Sequence, residues 1–163
     1  MNIHPDVEKL DFAAIKMKLL DPLEGNGMRL EQIEFAECEY RRFLSMRIYE
    51  PDLDLVPSRL VDEFWHAHIL DTQAYVKDCQ SVFGEYLHHY PYMGLGSSEA
   101  RDELETAYSL TKIAYERHFG PYPEVETQAA RCAGHACHVP SSCACRSPGA
   151  CKGVRNAQNE AFA

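Results

Sequence analysis

Between Val61 and Gly94 the chain reads VDEFWHAHILDTQAYVKDCQSVFGEYLHHYPYMG, and this stretch constrains the fold and the chemistry more than any other. It holds His66, His68, His88 and His89, half of the eight histidines, together with the single tryptophan and Asp62, Asp71 and Asp78. Ser58 precedes it as an N-cap, Asp62 follows in the first turns where the helix dipole favours an acid, and Gly84 closes it. The pattern predicts one helix from about Arg59 to near Phe83.

On such a helix Val61, Trp65, His68, Thr72, Tyr75 and Cys79 follow one face at alternating steps of four and three. His68 and Thr72 occupy positions where a plain helical core would use leucine. A buried imidazole needs partners on its nitrogens, and Asp71 is the nearest carboxylate in sequence. His66 lies one turn after Asp62 and three residues after Glu63. Residues two apart point about 200° from each other, so an undistorted helix cannot aim His66 and His68 at the same ion. The adjacent His88 and His89 fall at an element boundary, beside Tyr90-Pro91-Tyr92, where an imidazole can point back along the preceding helix.

The flanking segments also read as helices. Pro5 and Asp6 open a helical pattern through Val7, Leu10, Phe12, Ile15, Leu19 and Leu20, ended by Asp21-Pro22. From Met28 a second amphipathic pattern runs through Leu30, Ile33, Ala36, Tyr40, Phe43 and Leu44. YEPDLDLVP reads as an extended connection. A last helix starts at Ser97 or Ser98 and stops at Gly120-Pro121, with His118 near its end where the dipole favours a cation. Four helices with short connections and no hairpin signal predict an all-α antiparallel bundle.

Beyond Thr127 the composition changes. From Gln128 onward the charges are Arg131, Arg146, Lys152 and Arg155 against Glu160, or +3, leaving -12 for the rest of a chain of net charge -9. Residues 1–127 therefore read as a helical domain and 128–163 as a separate, disordered cysteine-rich tail. Its possible metal ligands are Cys132, His135, Cys137, His138, Cys143, Cys145 and Cys151. Their spacing matches no paired C-x-x-C finger, although soft thiolates at this density can wrap Zn(II) or Cu(I). The acidic body argues against nucleic acid as a partner, and no apolar run is long enough for a membrane span. The opening MNIHPDVEKLDF lacks a basic region followed by an apolar core, so the expected location is the cytoplasm.

Pro57-Ser58, Val61-Asp62, WHAHILDT with Tyr75 and Cys79, FGEYLHHYPYMG, and the spaced Thr111, Tyr115 and His118-Phe119-Gly120 resemble the glycine-rich domain-containing protein-like family, its short bacterial members best. The resemblance covers about residues 10 to 123. Its pattern falls on Asp62, Trp65, His66, His68, Asp71, Thr72, Tyr75, His88, His89 and Gly94, and implies no settled reaction. The tail departs from it, because it is not strongly glycine-rich.

The residues taken together predict a metal-binding helical protein. Asp62, His66, His68, His88 and His89 form or surround the site, with Asp71, Thr72 and Tyr75 supporting it from behind. Imidazoles and carboxylates suit a transition metal such as zinc, iron or copper. If the protein is an enzyme, Tyr75 and Tyr90 are its candidate proton donors. The alternative is a non-catalytic metal-handling or interaction module, whose tail binds metal or a protein or peptide partner.

Overall fold

The computed structural model describes residues 2–23 and 27–124, all of which are helix, turn or irregular connection. Among them the all-α expectation holds, but with six helices in place of four: α1 Pro5–Glu8, α2 Ala13–Leu20, α3 Leu30–Tyr49, α4 Arg59–Leu70, α5 Thr72–Phe83 and α6 Ser98–Phe119. No described helix is long and apolar enough to cross a membrane. The tail ligands Cys132, His135, Cys137, His138, Cys143, Cys145 and Cys151 lie outside the described residues.

Both extra helices arise where a side chain takes over backbone groups that a longer helix would use itself. The guanidinium of Arg41 on α3 donates to the Val7 carbonyl at 2.6 Å and the Leu10 carbonyl at 2.8 Å, while Asp11 Oδ1 accepts the Ala13 N–H at 2.9 Å. The first helical pattern therefore splits into α1 and α2.

The second break falls at Asp71, inside the predicted long helix. Its backbone leaves the helical region (φ -83°, ψ 72°), closing α4, and its carboxylate accepts the Ala74 N–H to open α5. A continuous helix would separate residues ten apart by about 15 Å. After the break, Trp65 bonds Tyr75 and His68 bonds Asp78, each pair ten residues apart.

Most of the helix packing runs through α3, which packs against α1, α2, α4 and α6. Its buried Ile33, Ala36, Tyr40 and Phe43 meet Phe12 and Ile15 from the N-terminal segment and Phe64 and Trp65 from α4. A smaller cluster joins Val56 to Leu104, Ala107 and Tyr108 of α6. There Thr111 Oγ1 accepts the Val56 N–H at 2.9 Å and donates to the Ala107 carbonyl.

Gly94 has φ +81°, and a Cβ there would stand 2.6 Å from Leu104 Cδ2. Gly84 also has positive φ, but its added Cβ would meet nothing within 4 Å. Gly94→Ala is expected to lower stability by about 2–4 kcal/mol, against about 1–2 kcal/mol for Gly84→Ala, measured by urea unfolding.

Glu37 on α3 binds Lys16 Nζ at 2.6 Å and Arg41 Nη2 at 2.8 Å, tying α2 to α3. Burial pushes its carboxyl up, but the two cations outweigh burial and hold it below the ordinary value of 4.5. The unfolded chain then binds more protons, so this contribution is full above about pH 4.5 and is lost as pH falls through the folded value. Glu37→Gln is expected to lower stability at pH 7 and to flatten the acid limb of the stability profile.

Candidate metal centre

The helix that Ser58 caps presents Asp62 and His66 one turn apart on the same face. His89 reaches them from the irregular segment after α5, which Gly84 ends in a left-handed conformation (φ +73°). His89 Nε2 stands 2.7 Å from Asp62 Oδ1 and 3.2 Å from His66 Nε2, and the third side, His66 to Asp62, is 3.7 Å. Asp62 is 2% exposed and His89 7%, whereas the His66 side chain keeps 22% of its surface. Solvent therefore reaches the cluster from the His66 side. Asp62 Oδ2 is buried and has no hydrogen-bond partner among the described residues.

One nitrogen of His89 faces both other groups. A proton relay through His89 would enter the ring at one nitrogen and leave at the other. Here Nε2 alone makes both contacts, so the three donor atoms surround a point instead of forming a chain. This is the one group of three such ligand atoms within 4.8 Å of one another among the described residues.

The other expected site residues are placed elsewhere. His68 points into the core, with Nδ1 3.0 Å from Tyr40 Oη and Nε2 3.2 Å from Asp78 Oδ2. A carboxylate can only accept, so the Nε2 proton goes to Asp78 and the Tyr40 hydroxyl donates to Nδ1. Burial pushes the imidazole below its ordinary value, and the Asp78 and Asp71 carboxylates oppose that shift only in part. Both ring nitrogens are thus engaged, and His68 is not gathered into the cluster. The regular helix from Arg59 to Leu70 keeps it facing away from His66.

His88 is half-buried with its ring 4.7 Å from that of Tyr86. Asp71 is exposed and serves as the cap between α4 and α5, and the break turns Thr72 to the surface. Tyr75 is buried, donates to the Leu87 carbonyl and accepts the Trp65 indole N–H at 2.9 Å. Burial pushes its hydroxyl well above the ordinary tyrosine value, with Tyr40 and Cys79 adding to the shift. Its one proton is committed to Leu87, which does not suit the proton-donor role. Tyr90 lies beside Tyr92, their rings 5.6 Å apart. His118 pairs with Glu50 at 2.8 Å and stacks on Tyr49 at 5.2 Å.

Sequence reasoning missed Asp78 as the partner of His68. Ten residues along an unbroken helix it has no reach, and the break at Asp71 carries no glycine or proline to announce it. Tyr40 was legible as a core position, but its hydroxyl partner was not.

These features define an all-α protein with a buried carboxylate and two imidazoles converging beside the surface. A family model described as UCP032817-like matches residues 9–114, well over half of the chain, and the protein belongs to that family. This corrects the resemblance to the glycine-rich domain-containing family: the match encloses the WHAHILDT core and the His88-His89 pair, and stops before His118-Phe119-Gly120 and the tail. No curated protein and no solved structure matches the chain.

Tyr40→Phe keeps the ring and removes the hydroxyl that serves His68 Nδ1. It is expected to lower stability by about 1–3 kcal/mol in urea unfolding, the cost of one buried unpaired acceptor.

Proposed function

We propose that this UCP032817-like protein binds a transition metal ion through Asp62 Oδ1, His66 Nε2 and His89 Nε2. The observation that carries this reading is the convergence of three donor atoms from two chain segments on a single point. Ligand bonds of about 2.0–2.2 Å place donor atoms about 3.0–3.5 Å apart around one ion. The three sides of 2.7, 3.2 and 3.7 Å bracket that range, so small side-chain adjustments suffice. The unpartnered Asp62 Oδ2 adds support, because a buried carboxylate oxygen ordinarily finds a donor or a cation.

Two imidazoles and one carboxylate suit zinc or non-haem iron, and copper accepts the same ligands. Three protein ligands leave a further position, and the partly exposed His66 lies on the side from which an outside ligand would approach. Such a centre supplies Lewis acidity to whatever oxygen ligand takes that position. The surrounding residues hold the donors in place and keep water from Asp62 and His89. We assign this role to the body, residues 1–127, and treat 128–163 as a separate segment whose thiols are a rival metal store.

Metal content by inductively coupled plasma mass spectrometry, on full-length protein purified without a metal-binding tag, tests the assignment. About one ion per chain is expected. It should survive replacement of Cys132, Cys137, Cys143, Cys145 and Cys151 by serine, and disappear in Asp62→Ala and in His89→Ala. Metal that vanishes with the cysteines and persists in His89→Ala would make the body a scaffold and overturn the reading.

A further inference from the structure

Two of the three ligands come from one helix at a four-residue spacing, so forming α4 is enough to bring them together. The third does not. His89 sits on the connection between α5 and α6, where no repeating backbone bonds dictate its place. The completeness of the cluster therefore depends on what holds residues 87 to 89.

The contacts that hold this segment form a closed circuit. Trp65, between Asp62 and His66 on α4, donates its indole N–H to Tyr75 Oη on α5 at 2.9 Å. Tyr75 Oη donates in turn to the carbonyl of Leu87, two residues before His89. The Leu87 side chain is buried, and the Trp65 ring lies against the His89 ring with centroids 4.5 Å apart. His89 then closes the circuit on Asp62, back on α4.

Tyr75 is itself immobilised. It is 1% exposed, with the His68 ring edge-on at 4.9 Å and the Tyr86 ring edge-on at 5.2 Å. Its hydroxyl has one proton, given to Leu87, and an oxygen lone pair occupied by Trp65. The hydroxyl is thus a fixed bracket between a ligand-bearing helix and a ligand-bearing connection.

Resting on the metal assignment above, we propose that Trp65 and Tyr75 are positioning residues for the metal centre: their hydrogen-bonded pair presets His89 against Asp62 and His66 before an ion arrives. Neither touches the ion. Their effect lies in affinity and coordination geometry, because a ligand that must be ordered on binding weakens the site by the cost of ordering it. Partners that orient ligands typically change metal affinity by about 10–100-fold when removed.

The test uses the full chain and cobalt(II) as the probe, with affinity taken from titration and coordination read from the visible d–d absorption bands. Wild-type protein sets the baseline, and His89→Ala, expected to take up no cobalt at this site, marks the loss of binding. Tyr75→Phe keeps the buried ring and removes the bracket. It is expected to bind cobalt about 10–100-fold more weakly, with bands displaced from wild type. Tyr108→Phe removes another buried tyrosine hydroxyl, 3.1 Å from Tyr122 Oη, and is expected to leave both readouts unchanged.

If Tyr75→Phe fails to fold, Trp65→Phe decides on the same readouts, since it removes the indole donor while leaving an aromatic wall beside His89. Affinity within twofold of wild type and an unchanged spectrum, alongside loss of binding in His89→Ala, would overturn the positioning role and leave the metal assignment standing. Equal weakening in Tyr108→Phe would also overturn it, reducing the effect to general stability. A wild-type chain that takes up no cobalt overturns the metal assignment and this inference with it.

Discussion

The turn at Asp71 is the constraint on which the rest of this structure depends. One residue outside helical geometry converts what would be a single rod into two helices whose side chains face each other. Trp65 to Tyr75 and His68 to Asp78 are both bonds across that turn, and neither exists on a straight helix. The first bond leads to the segment that carries His89. The second satisfies His68, which the regular turns of α4 already face away from His66. Asp71 stabilises the turn by accepting the Ala74 N–H, so a residue that resembles a site carboxylate in sequence acts through the backbone.

Burial separates the histidines by role. His68 is fully enclosed, with a hydroxyl on one nitrogen and a carboxylate on the other, and removing either partner would leave a buried polar atom unpaired. The Asp62 group is arranged differently. A carboxylate at 2% exposure should be costly unless its oxygens are matched, yet one oxygen is shared with two imidazoles and the other has no partner among the described residues. A fold that satisfies His68 so completely, three residues past Trp65, has the means to satisfy Asp62 as well. Leaving Oδ2 unmatched follows if a ligand outside the chain completes the site.

Much of this was legible in the sequence, and the losses have physical causes. The all-α class, the starts at Ser58 and Ser97, and the ends at Gly84 and Gly120 follow from capping chemistry that acts within a few residues. The pairing of Asp62 with His66 was equally local. The split between α1 and α2 was not, because it depends on Arg41, 31 residues beyond Leu10. The same limit separates His89 from His88: adjacent residues differ in direction, and the contacts that His89 makes, to Asp62 and the Trp65 ring, come from residues more than twenty positions away. The break at Asp71 is the instructive failure, since aspartate tolerates a helix and the local pattern of apolar residues continues through it.

The geometry also explains why a site of this kind can be built from so short a stretch. A single helix can offer two ligands at a four-residue spacing but cannot surround an ion, because its side chains diverge from its axis. A third ligand must come from elsewhere, and the shortest route is to reverse the chain once, run back, and return beside the starting helix. Residues 62 to 89 do this: α4 outward, the turn at Asp71, α5, then the stretch that brings His89 to Asp62. Aromatic side chains line the return. Trp65 and Tyr75 place rigid rings between the two helices and the connection that follows α5, and their polar ends carry the hydrogen bonds that tie it to α4 and α5. Packing and ligand placement are therefore one arrangement here, in which the residues that exclude water from Asp62 and His89 also hold His89 where an ion could be met.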